Sequence, residues 1–131
     1  MNDPNVPAWQ PVVDVTRLFE GINPVTIEGI ELVVVKKEDN LSVFAGRCIH
    51  QEAPMAQGIL EENHLVCSKH LWRYRLDTGE LEGEPGIFLQ KFEHQKQDQV
   101  LEIRRDAFDQ LKELYNSYDD EDNQDYRPKE E

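Results

Sequence analysis

Two short segments constrain this chain more than anything else in it. They are Cys48-Ile49-His50 and, sixteen residues later, Cys67-Ser68-Lys69-His70. Each places one thiol and one imidazole on a tight turn, so two loops can offer four donors to one centre. The chain has no other cysteines. Thiolate with imidazole suits zinc or iron–sulfur chemistry, whereas magnesium and calcium take oxygen donors. A Cys2His2 zinc site ordinarily joins its cysteines in a knuckle and its histidines on a helix. Here each half is mixed, which disfavours zinc without removing it. In a reducing compartment a Cys48–Cys67 disulfide is not expected. Nothing sets one thiol apart as a nucleophile.

The surroundings of these pairs read as short strands and turns. Pro24–Ile27 and Ile30–Val35 flank Glu28-Gly29, a hairpin signal. Leu41–Ala45 alternates apolar and polar residues after the turn Glu38-Asp39-Asn40, and Leu65-Val66 runs straight into Cys67. Trp72–Leu76 alternates and then turns at Asp77-Thr78-Gly79. Ile87-Phe88-Leu89, Phe92 and Val100–Ile103 complete the series. Strands at this spacing, with no helical crossovers between them, predict an all-β sandwich or barrel. From Asp106 the spacing of Phe108, Leu111 and Tyr115 predicts one amphipathic helix, with Asp106 as its N-cap. Residues 117–131 hold seven acids against two bases and almost nothing apolar, so this tail is expected to be disordered.

A net charge of −13 argues against nucleic acid or an anionic membrane as partner. It favours a partner with a basic patch, or else serves solubility alone. No apolar run approaches the roughly 18 residues needed to span a bilayer. The start Met-Asn-Asp-Pro-Asn lacks the features of a secretory signal, so a soluble, cytoplasmic protein is expected.

With both ligand pairs at this spacing, the chain resembles the Rieske iron–sulfur family. Ala53-Pro54-Met55 and Gly58 are similar to the first cluster loop of Rieske ferredoxins. Asp77-Thr78-Gly79-Glu80 and the proline loop Gly83-Glu84-Pro85-Gly86 are similar to the stretch beyond the second cluster loop. The resemblance covers about residues 10–104. More narrowly, His50-Gln51-Glu52 and His70-Leu71-Trp72 resemble the ferredoxin component of toluene-type diiron monooxygenases, a group in which Ile49 and Leu71 are tolerated departures from the usual Pro and Gly.

The resemblance implies a Rieske-like antiparallel β-sandwich with a small cluster-binding subdomain, a short C-terminal helix and the acidic tail. The implied division is a flexible lead-in over 1–9 and a Rieske domain over 10–105, with ligand loops at 46–56 and 66–74. A helix over 106–116 and the tail over 117–131 complete it. The resemblance also implies one [2Fe–2S] cluster per chain, with Cys48 and Cys67 on the inner iron and His50 and His70 on the outer one. Neutral imidazoles in place of two thiolates put such clusters at roughly −150 to +300 mV. High-potential relatives carry a hydroxyl donor where this chain has Trp72, and a loop disulfide for which it has no cysteines. Only Tyr74 matches, so the low half of that range is expected.

Other residues admit two readings each. Trp72 either covers the cluster and joins in docking or packs in the core. Pro85 either shields the cluster or simply makes a turn, and Gln51 is placed near a docking face. His64 reads as a surface turn residue, and His94 needs no function. Lys69, Arg73 and Arg75 either pair with nearby acids or serve partner recognition. The function implied is one-electron transfer from a flavin-dependent reductase to an oxygenase, with no catalysis by the chain itself. The alternatives are a zinc- or cluster-bearing sensor subunit and the Rieske domain of a terminal oxygenase, for whose catalytic iron domain this length leaves no room.

Overall fold

The computed structural model describes residues 8–47, 54–68 and 72–114. Its strands are β1 (Trp9–Asp14), β2 (Gly21–Ile27), β3 (Ile30–Lys37), β4 (Asn40–Ala45), β5 (Ile59–Glu61), β6 (His64–Val66), β7 (Arg73–Arg75), β8 (Lys91–Phe92), β9 (His94–Gln97) and β10 (Val100–Arg104). A helix, α1, covers 105–114. The strands form three antiparallel sheets in the orders β1-β10-β9, β2-β3-β4-β8 and β5-β6-β7. This is the all-β architecture that the pattern predicts, with the small subdomain that the resemblance implies. Among the described residues no helix is long and apolar enough to cross a membrane.

The β2–β3 hairpin closes where expected. Glu28 and Gly29 have φ of 51° and 82°, the left-handed pair that a tight hairpin turn needs. Behind it, Leu32-Val33-Val34-Val35 is buried at every position. Successive strand side chains point to opposite faces, so β3 is covered on both sides. One continuous core joins these residues to Phe44 and Phe92 of the same sheet, Leu101 and Ile103 of β10, and Leu65 and Tyr74 of the small sheet.

Helix α1 completes the core with Phe108 and Leu111, the residues its period selects. Tyr115 and the acidic tail lie outside the described residues. Asp106 accepts from the Ala107 N–H at 2.8 Å, one residue inside the helix start. Three strands depart from the expected pattern. β1 includes Pro11 at an irregularity in its pairing with β10, and proline is tolerated in strands at such bulges and edges. β5 is only three residues long and β9 is polar throughout, and both lie at sheet edges.

Charged side chains fasten α1 to the hairpin. Arg105 donates to both Glu28 carboxylate oxygens, at 3.0 and 3.1 Å, and Lys112 donates to Glu28 at 2.6 Å. Arg105 also pairs with Asp109 and with Gln10. The Arg105 guanidinium, with Lys112 beside it, holds the Glu28 carboxyl down at about 2, from an ordinary 4.5. A depressed carboxylate pKa gives stability that is present above the unfolded value and is lost as pH falls toward the folded one. Wild type is therefore expected to melt at a higher temperature than Glu28→Gln above pH 4.5, and the two midpoints should converge by about pH 2. Thermal melts followed by circular dichroism check this; parallel curves across the window would refute it. His94 acts higher. Burial, with the Lys91 charge adding, lowers its pKa from 6.5, so the folded state loses ground below that pH, before the Glu28 window opens.

Candidate metal centre

Three loops leave the small sheet and the adjoining end of β4, and each is closed at its neck by backbone hydrogen bonds. At the first, Arg47 bridges to Pro54, and the Met55 N–H donates to the Gly46 carbonyl at 2.8 Å. Arg47 and Pro54, which flank residues 48–53 in the sequence, thus lie side by side. Cys48, His50 and Gln51 belong to that segment and lie outside the described residues, as does His70.

At the second neck, the Cys67 N–H donates to the Trp72 carbonyl at 2.9 Å, tying off the loop that carries His70. Cys67 itself is described. It comes directly after β6 and is fully buried within the core cluster. Its position comes from β6, which pairs with β5 through Ile59↔Val66 and with β7 through Val66↔Arg73. A thiol at the end of a strand held on both sides is fixed in place. Fixed donors suit metal ligation, because holding a ligand in position before it binds avoids an ordering cost.

The third loop is the proline loop. The Leu81 N–H donates to the Ile87 carbonyl at 2.8 Å, and the Glu82 N–H donates to the Arg73 carbonyl at 2.8 Å, docking the loop on β7. Pro85 is exposed on it. Between the loop and β7 lies a cleft of about 460 Å³ lined by Trp72, Arg73, Leu81, Glu82, Gly83, Glu84 and Ile87. Trp72 packs against the core and also lines this cleft. Tyr74 is fully buried, with its ring in the core.

Local charges settle the reading of two of the basic residues. Arg73 pairs with Glu61 and, at 2.8 Å, with Glu82. Arg75 pairs with Asp77 at 2.8 Å. These contacts raise both guanidinium pKa values. Lys69 lies outside the described residues. His64 departs from its expectation. It opens β6 with only 20% of its side chain exposed, and its Nε2 lies 3.7 Å from Glu82. The polar neighbours Glu61, Glu62 and Asn63 concealed this, because the turn is only Glu62-Asn63 and the strand begins directly after it.

Comparison with known proteins gives this arrangement a family. The family model described as the Rieske [2Fe-2S] domain matches residues 8–93. The ferredoxin component of the naphthalene 1,2-dioxygenase system of Pseudomonas putida is 32% identical over 72 residues, 54% of this chain and 69% of that protein. The ferredoxin component of the alkene monooxygenase system of Xanthobacter autotrophicus is 30% identical over 63 residues, 47% of this chain and 52% of that protein. Methylxanthine N1-demethylase NdmA of Pseudomonas putida is 32% identical over 72 residues, which are 50% of this chain but only 20% of the demethylase. Among solved structures, the ferredoxin of carbazole 1,9a-dioxygenase from Nocardioides aromaticivorans IC177 aligns with a TM-score of 0.63, covering 72% of this chain and 97% of that one. At 20% identity, that likeness shows a shared fold. The family match covers well over half of the sequence, and the chain therefore belongs to the Rieske [2Fe–2S] domain family.

Proposed function

We propose that this chain is a Rieske ferredoxin, a one-electron carrier between a flavin-dependent reductase and an oxygenase, with no catalytic step of its own. In this reading Cys48 and Cys67 hold one iron of a single [2Fe–2S] cluster, and His50 and His70 hold the other. When bound, the cluster supplies reversible uptake of one electron. The observation that carries the reading is Cys67, a buried thiol fixed at the neck of a tied loop in a matched Rieske domain. Two thiolates and two imidazoles are the donor set that such a cluster takes.

The rest of the chain supports carriage more than catalysis. Its relatives include ferredoxin components of two oxygenase systems, which supports a carrier. Trp72, which lines the proline-loop cleft, Pro85, exposed on the loop, and Gln51 are the residues assigned to docking. A net charge of −13 calls for basic partner surfaces. A cytoplasmic site fits cysteines that serve as ligands, since thiols stay reduced there.

The test is direct. Protein purified without oxygen should be coloured and should bleach on dithionite with uptake of one electron per chain. Colourless protein loaded with zinc would instead establish the sensor reading. The midpoint should fall below about +100 mV, because Trp72 offers no hydroxyl to the cluster sulfurs. A higher value would sink that donor argument while leaving the carrier intact.

A further inference from the structure

Glu31 and Arg47 meet at the neck of the first loop. Arg47 immediately precedes Cys48, and its Nε lies 2.9 Å from Glu31 Oε1. That oxygen is cut off from solvent and makes no hydrogen bond among the described residues, so its contact with Arg47 is an ion pair off the hydrogen-bond line. The backbone fixes where the pair sits. The Gly46 N–H donates to the Glu31 carbonyl at 2.8 Å. A Cβ on Gly46 would lie 2.6 Å from the Glu31 carbonyl carbon and oxygen, so only glycine lets the neck press so closely on β3. β3 itself is anchored through the Glu28 turn to α1.

We propose that Glu31 and Arg47 are a tuning pair for the reduction potential, opposite charges held beside a cysteine that ligates the cluster. The proposal rests on the carrier reading. Reduction adds one negative charge to the cluster and moves no atoms between residues. Neighbouring Cα atoms are about 3.8 Å apart, so the Arg47 charge lies no farther than one side-chain length from the start of the ligand loop. Both side chains are about two-fifths exposed, so water weakens their effect on a nearby charge without cancelling it. The guanidinium therefore favours the reduced cluster, and the Glu31 carboxylate opposes it by offsetting that charge. Neither group is a ligand; both are positioning and tuning residues.

Signs distinguish tuning from mere support of the loop. Arg47→Gln leaves Glu31 unopposed and should lower the midpoint. Glu31→Gln removes a negative charge and should raise it. Each single change should alter the ratio of reduced to oxidised cluster at the wild-type midpoint by on the order of threefold, in opposite directions. The double variant should return toward wild type, and Arg47→Lys should stay near it. Spectroelectrochemical titration of the holoprotein, with the visible spectrum recorded alongside, reads all four. If the two single variants shift in the same direction, or neither shifts, the pair only supports the loop and the proposal fails. Should Arg47→Gln not hold a cluster, Glu31→Gln decides alone, since only tuning predicts a rise. A wild type with no one-electron couple refutes the carrier reading, a result distinct from either.

Discussion

Cys67→Ser protein is expected to fold and to come off the column colourless. The fold should survive because serine nearly matches cysteine in volume, and the backbone contacts at this position do not use the side chain. The N–H to Trp72 bond at 2.9 Å remains, as does the pairing of β6 with both neighbours. What disappears is the thiolate. A serine hydroxyl at neutral pH is protonated and is a poor partner for iron, and its burial leaves no room for water to substitute. Since even partners outside the ligand set change metal affinity by about 10–100-fold, loss of a ligand should cut visible absorbance per chain by at least about tenfold. Circular dichroism should meanwhile match that of wild-type protein depleted of iron. Ser68→Ala, one residue further on, is the control and should keep its colour. A coloured Cys67→Ser protein with an unaltered spectrum would remove Cys67 from the ligand set and take the proposed function with it.

The parts of this molecule that are legible from sequence are those whose signal is local. Glu28-Gly29 announces a hairpin because its backbone demands are met by the two residues themselves. The spacing of Phe108 and Leu111 announces α1 because both sides of the pattern lie within one helical turn. The place of Cys67 directly after an apolar strand is legible for the same reason, whereas Cys48, His50 and His70 lie outside the described residues. The hidden parts depend on distant partners. β9 is the polar stretch His94–Gln97, and it is a strand because β10 offers it a ladder from Gln97↔Val100 to His94↔Ile103. β5 owes its existence to β6 in the same way. Ile87–Leu89 shows the opposite error. It is apolar enough for a strand, but the proline loop holds it to one isolated bridge, Glu80↔Phe88. The contact of Gly46 with Glu31 crosses from one strand end to another, so neither residue's neighbours announce it.

Gly58→Ala should be among the most damaging single substitutions outside the ligands. Gly58 ends the short turn Met55–Gln57, where its N–H donates to the Met55 carbonyl at 3.0 Å, and it leads into β5. A Cβ there would sit 2.2 Å from the Val66 carbonyl oxygen, far inside any tolerable contact. The obstacle is backbone, so no side-chain rotation relieves it. Either the turn lifts away from β6 or β6 moves, and both disturb the pairing Ile59↔Val66. Forced overpacking of this kind costs about 3 kcal/mol, which a urea titration resolves easily. Gly83→Ala is the comparison. Nothing lies within 4 Å of its Cβ and only its φ of 88° is strained, so it should cost about 1 kcal/mol. The two should differ in colour as well as stability. Val66 precedes Cys67, so any shift of its carbonyl moves the residue that carries the thiol, and Gly58→Ala should lose cluster faster than wild type even in dilute urea, where most chains are still folded. Equal urea midpoints for Gly58→Ala and wild type would mean that β5 and β6 part without cost, and the rigidity ascribed to Cys67 would then have no source in the small sheet.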